Sequence, residues 1–162
     1  LYYNWLFHKS LFHFYSPLKG CEFMGSFTIL TPATRKNIFI SHAWKYNIDY
    51  YTILRWLKES SIVYHNYSVP EHDPLDAGNT RKLKAALTEQ MRHANIVIII
   101  AGMYTNHSGW IQYEIDEAVR MRKKIIAIKP RGNERIPLTI QMAAHKTVNW
   151  NSTSLVDAIK TI

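Results

Sequence analysis

The chain has 162 residues, of which 47% are hydrophobic and 20% charged, and a formal net charge of +8. That balance fits one soluble globular domain and excludes a disordered or fibrous chain. The positive charge permits attraction to nucleic acid, an acidic membrane surface or a phosphate-bearing small molecule, without choosing among them.

The single cysteine, Cys21, leaves no internal disulfide, which argues for a reducing, cytoplasmic setting. No His/Cys/Asp cluster has metal-ligand spacing, so no metal is expected; His65 and His72 merely flank a loop.

Residues 1–36 read as an amino-terminal extension. Leu1 to Phe23 holds eight of the 21 aromatics, and His8, Lys9 and His13 interrupt its apolar stretches. It cannot supply the ~20 apolar residues of a spanning helix, and it lacks the basic start and apolar centre of a secretory signal. Two readings stay open: an interfacial amphipathic helix, or a natural start at Met24 in "MGSFTILTPATRKN". No membrane partner is expected, and the segment is set aside in reading the fold.

From Asn37 the chain alternates regularly, and residues 37–162 read as one domain. "NIFIS" (Asn37–Ser41) is a short apolar run of strand type, and "DYYTILRWLKES" (Asp49–Ser60) carries Tyr50, Ile53, Leu54 and Leu57 at helical spacing. "IVYHNYS" (Ile62–Ser68) alternates like a half-buried or edge strand. Val69 to Asn79, with two prolines, a glycine and three carboxylates, reads as a long surface loop. Asn79 or Thr80 can cap the next helix, which presents Leu83, Leu87 and Met91 on one side. "NIVIIIAG" (Asn95–Gly102) lacks alternation and reads as a central strand covered on both faces.

A helix then starts in "SGWIQYEIDEA" (Ser108–Ala118), with Ile111, Ile115, Ala118 and Val119 as its apolar stripe and Glu114 bordering it. "KIIAIKP" (Lys124–Pro130) reads as a further buried strand. A last extended piece near Thr147 and Val148 leads to a terminal helix with Ser152 as its cap. Strands alternating with helices predict an α/β, flavodoxin-like domain: a parallel sheet of about five strands with helices on both faces.

Ligands of such sheets gather outside the carboxyl ends of the strands. Three segments sit there: "SHAW" after the first strand, "GMYTNHSGW" after the central one and "PRGNERIP" after the next. The chain has no GxGxxG turn, no P-loop and no GxSxG elbow. Ser41 and His42 are adjacent and so point to opposite faces of an extended chain, which argues against a Ser–His catalytic pair.

Glu114 remains, one turn beyond Trp110 on the same side of its helix. As residue pattern alone, a solvated carboxylate and one aimed into a cleft both stay open. Hydrolysing an ordinary glycoside usually takes two carboxyl groups, one to protonate a poor leaving group. A nicotinamide N-glycoside has a leaving group that departs neutral, so one anion stabilising the oxocarbenium could suffice. Trp110 or Tyr104 could pack against a flat ring.

Taken together, "IFISHAW", "IVIIIAGMYTNHSGWIQYEIDEA" and "KKIIAIKPRGNERIP" resemble the TIR-like domain of the Thoeris antiphage defence family ThsB, over about Asn37 to Ile162. The resemblance implies a flavodoxin-like TIR fold and an enzyme that cleaves NAD⁺ as substrate, with no further cofactor. The implied products are nicotinamide and a cyclic or rearranged ADP-ribose signal, which activates a separate NAD-depleting effector.

Trp110 and Glu114 match the family's W-x-x-x-E pattern, which makes Glu114 the expected catalytic residue. Ser41, His42, Tyr104 and Trp110 are the expected substrate-binding residues. Asp49 is the nearest match to an aspartate that many TIR domains carry after the first strand. The Val69–Gly78 loop corresponds to the loop that gates the pocket and mediates self-association. No glycine-rich cradle is present, which leaves Arg35, Lys45 and Arg131 as candidates for the pyrophosphate. The alternative is a non-catalytic TIR-like adaptor. Nucleic acid is not expected as a partner, because no basic run with interleaved aromatics occurs in the domain.

Overall fold

The computed structural model describes residues 34–41, 47–68, 80–132 and 135–162, the side chains of residues 47 and 103–108 excepted. The chain divides into two units, residues 1–31 and 32–162, and the elements below belong to the second. The expectations for Cys21, Met24, His42, Lys45, His72, the Val69–Gly78 loop and the Tyr104 side chain lie outside the described residues.

The elements run β1 (Lys36–Ser41), α1 (Asn47–Glu59), β2 (Tyr64–Asn66), α2 (Thr80–His93), β3 (Ile96–Ile100), α3 (Tyr104–Arg120), β4 (Lys124–Ile128), α4 (Leu138–Ala143), β5 (Lys146–Val148) and α5 (Ser152–Thr161). The five strands form one sheet in the order β2-β1-β3-β4-β5, and every pairing is parallel. Parallel strands need crossovers, and each is supplied by a helix. Helix α1 packs with α5, whereas α3 packs with α2 and α4, so both faces of the sheet are covered.

That double covering explains the β-branched run of β3. All five of its side chains, Ile96 to Ile100, are buried, as are Ile125 to Ile128 of β4. Edge strand β2 shows the intermediate-and-exposed pattern that its alternation predicts. Tyr50, Ile53 and Leu57 of α1, and Leu83, Leu87 and Met91 of α2, are buried where helical periodicity places them.

Several local expectations are corrected. Helix α3 begins at Tyr104, directly after a 3₁₀ turn over Ala101–Met103, ahead of the start at Ser108 expected from the sequence. The cap of α5 is Asn151, whose side chain accepts the Ser154 N–H at 2.8 Å, and not Ser152. Helix α4 is absent from the sequence reading, because six residues are too few to show a helical period. On α3, Val119 is 54% exposed, and Glu114 takes the inward place beside Ile111, Ile115 and Ala118.

The strand order places the site. From β1 the chain adds β2 on one side and then β3 on the other, so connections diverge between β1 and β3. At such a switch point a crevice opens at the carboxyl ends of the strands. Ser41 is the last residue of β1 and pairs with Ile99 of β3 at that reversal.

Candidate active site

Glu114 lies ten residues into α3, yet it meets the end of β1. At 1.5 Å of rise per residue, the first turns of α3 extend roughly 10–15 Å past that strand end. The helix thus walls the switch point and carries Trp110 one turn above the carboxyl. Trp110 is half-buried and packs against the hydrophobic core.

Among the described residues only three polar side chains are buried: Ser41, Ser68 and Glu114. All three lie at or beside the carboxyl end of β1. Glu114 is 5% exposed and Ser41 1%, and the Ser41 hydroxyl donates to Glu114 Oε2. A charged carboxylate at that depth would ordinarily be paired. Among the described residues no ion pair includes Glu114. Burial therefore dominates and pushes its pKa up to about 8, against a smaller downward pull from the Ser41 hydrogen bond.

Glu117, three residues on, has the opposite environment. It is clasped by Arg120 through hydrogen bonds of 2.9 and 2.7 Å, and it accepts from Thr88 at 3.1 Å. Those partners, Arg120 first, lower its pKa. Two carboxyls one turn apart on one helix are thus driven in opposite directions by what surrounds them.

A second polar cluster abuts the first. Ser68 Oγ accepts the Ile40 N–H at 2.7 Å and donates to Asn66 Oδ1 at 2.7 Å, while Asn66 Nδ2 donates to Tyr50 OH at 2.9 Å. Sequence reading missed these residues, since a polar residue closing an edge strand ahead of a loop is an unremarkable pattern. Nothing in the alternation of Ile62 to Ser68 marks Ser68 as buried.

The structure brings Ser41, Glu114 and Trp110 to one edge. Asp49 stands in the first turn of α1, where it accepts from Arg131 Nη2 at 2.8 Å. Arg131 also lies over the Trp150 ring, 4.9 Å from its centroid, and Trp150 meets Trp56 edge-on. One of the three basic candidates for a pyrophosphate is therefore engaged within the protein. Arg35 is exposed just ahead of β1, at the opposite edge of the sheet from Ser41. Among the described residues no group of three or more His, Cys, Asp or Glu could hold a metal ion.

What the arrangement can do is limited and specific. A buried carboxyl without a counter-cation is held neutral when the site is empty. It becomes a strong anionic partner for any positive charge that enters and displaces water.

The family described as Thoeris protein ThsB, TIR-like domain, matches residues 39–135, more than half of the chain. A search of curated proteins finds no match. Among solved structures, the CMP N-glycosidase BcmB of Clostridium botulinum is 13% identical with a TM-score of 0.52, covering 78% of this chain and 100% of its own. A pilus assembly-related protein of Burkholderia pseudomallei is 12% identical with a TM-score of 0.49, covering 77% of this chain and 87% of its own. At 13% identity the likeness to the N-glycosidase is one of fold alone. Among the described residues no helix is long and apolar enough to cross a membrane.

Proposed function

Because the chain belongs to the Thoeris ThsB TIR-like domain family, a family of antiphage defence, we propose that it cleaves NAD⁺ in the cytoplasm. The products are nicotinamide and a cyclic ADP-ribose-type signal, which activates a separate NAD-depleting effector. The observation that carries this reading is the buried Glu114 carboxyl, fixed by Ser41 and lacking a counter-cation among the described residues.

The chemistry follows from that carboxyl. The pyridinium ring of NAD⁺ brings the positive charge that Glu114 lacks, and its approach draws the carboxyl into the ionised form. The bond between C1′ of the ribose and the ring nitrogen breaks, with its electron pair moving to the nitrogen. Nicotinamide leaves neutral, so no general acid is needed. The oxocarbenium left at C1′ is stabilised by the Glu114 carboxylate, which Ser41 holds in one orientation. Trp110, one turn above, offers a flat apolar surface to a ring. The cyclic product forms when a nucleophile of the same molecule, in place of water, bonds to C1′.

The test is nicotinamide release followed by chromatography. Purified protein at high concentration is incubated with NAD⁺, alone and with extract of phage-infected cells, beside a Glu114→Gln variant. Release by the wild type, cut at least about 100-fold in the variant, is the expected result, since removing one transition-state stabiliser typically costs that much. The deproteinised mixture should then activate the effector. Absence of release under both conditions excludes the enzyme.

The second reading, a non-catalytic adaptor, draws on one feature. Val119, Leu138 and Met142 are exposed apolar side chains on α3 and α4, two helices that pack together. An adaptor would keep its defence activity in cells carrying Glu114→Gln, whereas the enzyme would lose it.

A further inference from the structure

We propose that Ser68 is a positioning residue for Glu114: its hydroxyl takes the last amide of β1 facing β2 and so fixes the strand end on which Ser41 meets the carboxyl. The inference rests on the reading of Glu114 as the catalytic group.

The ladder between β1 and β2 shows why a side chain is needed. The register runs Lys36↔Tyr64, Asn37↔His65 and Ile38↔Asn66, and the Tyr67 N–H donates to the Ile38 carbonyl at 2.8 Å. The next β1 donor on that side is the Ile40 N–H, two residues on, and β2 has already ended at Asn66. Ile40 is wholly buried, so its amide has no access to water. Ser68 Oγ fills the place of the missing strand carbonyl, at 2.7 Å.

The hydroxyl is itself fixed. Asn66 Oδ1 accepts both the Ser68 hydroxyl at 2.7 Å and the Ser68 N–H at 3.0 Å, so Ser68 has one orientation available. The Asn66 amide donates to Tyr50 OH at 2.9 Å, and Tyr50 is buried on α1. A continuous polar path therefore runs from Tyr50 through Asn66 and Ser68 to the backbone of Ile40, then one residue on to Ser41 and Glu114. It ties α1, β2, β1 and α3 together at the switch point.

Its consequence is positional. Ser41 is the final residue of β1, and its hydroxyl donates to Glu114 Oε2. Were the Ile40 amide released, β1 would lose its last restraint on the β2 side, and the strand end carrying Ser41 would be held there by its pairing with β3. Displacements of a fraction of an ångström are enough to misalign a charge-stabilising pair.

The test compares the wild type, Ser68→Ala, Ser68→Thr, Asn66→Ala and Ser41→Ala. The readouts are melting temperature, kcat and KM for nicotinamide release, and the carboxyl titration of Glu114 by ¹³C NMR, with Glu114→Gln identifying the resonance. Loss of the Ser41 hydrogen bond removes the one contact that lowers the Glu114 pKa, so Ser41→Ala moves the titration upward. Ser68→Ala is expected to move it in the same direction, to cut kcat about tenfold and to leave KM within about twofold, as misplacement near the chemistry does. Ser68→Thr keeps the hydroxyl and restores both. Asn66→Ala, which frees the Ser68 hydroxyl to rotate, gives a smaller shift in the same direction and serves if Ser68→Ala does not fold.

A lowered melting temperature with wild-type titration and wild-type kcat in Ser68→Ala overturns the proposal and leaves Ser68 a purely structural cap. If the wild type releases no nicotinamide while Ser68→Ala still shifts the Glu114 titration, the positioning role stands and the NAD⁺ reading falls.

Discussion

Glu114 and Glu117 share a helix and a side-chain type, and differ only in what faces them. Burial against the end of β1 raises the first, and Arg120 with Thr88 lowers the second. For stability the sign follows directly. A carboxyl raised from 4.5 to about 8 keeps its proton in the folded protein at pH values where the unfolded chain has released it. Stability from Glu114 is therefore complete below its ordinary value and is lost as the pH rises from about 4.5 through about 8. The loss amounts to at most about 5 kcal/mol over that window. The wild type should lose more melting temperature between pH 5 and pH 8 than Glu114→Gln, which has no proton to release. Parallel curves for the two proteins would show that the carboxyl is not buried neutral. Spacing already singles out Glu114, but as a residue bordering the apolar stripe. Only the packing of α3 against β3, with Glu114 meeting Ser41, shows that it lies inside the stripe and that Val119 lies outside.

At the level of elements, α3 is the piece on which the site depends, and its two ends are built differently. Its start runs straight on from β3 through one 3₁₀ turn, and the Gly, Ser and Asn content of that stretch hides the first turn of the helix from a reading by periodicity. Its end is a Schellman motif. The Lys123 N–H bonds the Ala118 carbonyl at 2.8 Å and the Arg122 N–H bonds the Val119 carbonyl at 2.9 Å. The residue that must take the left-handed conformation there is Arg122, at φ 54°, where glycine is usual. Arg122→Gly relieves the Cβ clash at some cost in unfolded-chain entropy, for a net gain of up to about 1 kcal/mol. Chemical denaturation would register it as a higher midpoint with unchanged slope, and a lowered midpoint would refute the assignment. Neither the cap nor α4 was legible in the sequence: basic residues such as Arg122 and Lys123 suit a helix C-terminus without marking which one turns left-handed, and six residues carry no period.

Across the whole molecule, alternation of strand-type and helix-type runs was enough to predict the class, the parallel pairing and the buried centre. Long apolar runs such as Ile96–Ile100 leave few alternatives. The order β2-β1-β3-β4-β5 was not in the pattern, because it depends on which strands meet across the sheet, and it is this order that puts Ser41 at the divergence point. Long-range polar links were equally hidden. The Arg131–Asp49 pair joins the segment after β4 to α1, and the Ser68–Asn66–Tyr50 path joins β2 to α1, across separations no local spacing reveals.

Among the described residues the fold buries one carboxyl, Glu114, at the carboxyl end of β1 and, in the proposed reaction, uses it once ionised against a cationic leaving group. The pH dependence of kcat/KM for nicotinamide release reads that directly, since it reports the free enzyme's ionisations. The expected profile rises with pH to a plateau, with its midpoint near the Glu114 value of about 8, and vanishes in Glu114→Gln. A profile that is flat from about pH 6 to 9, or a Glu114→Gln variant within about twofold of the wild type, would contradict it.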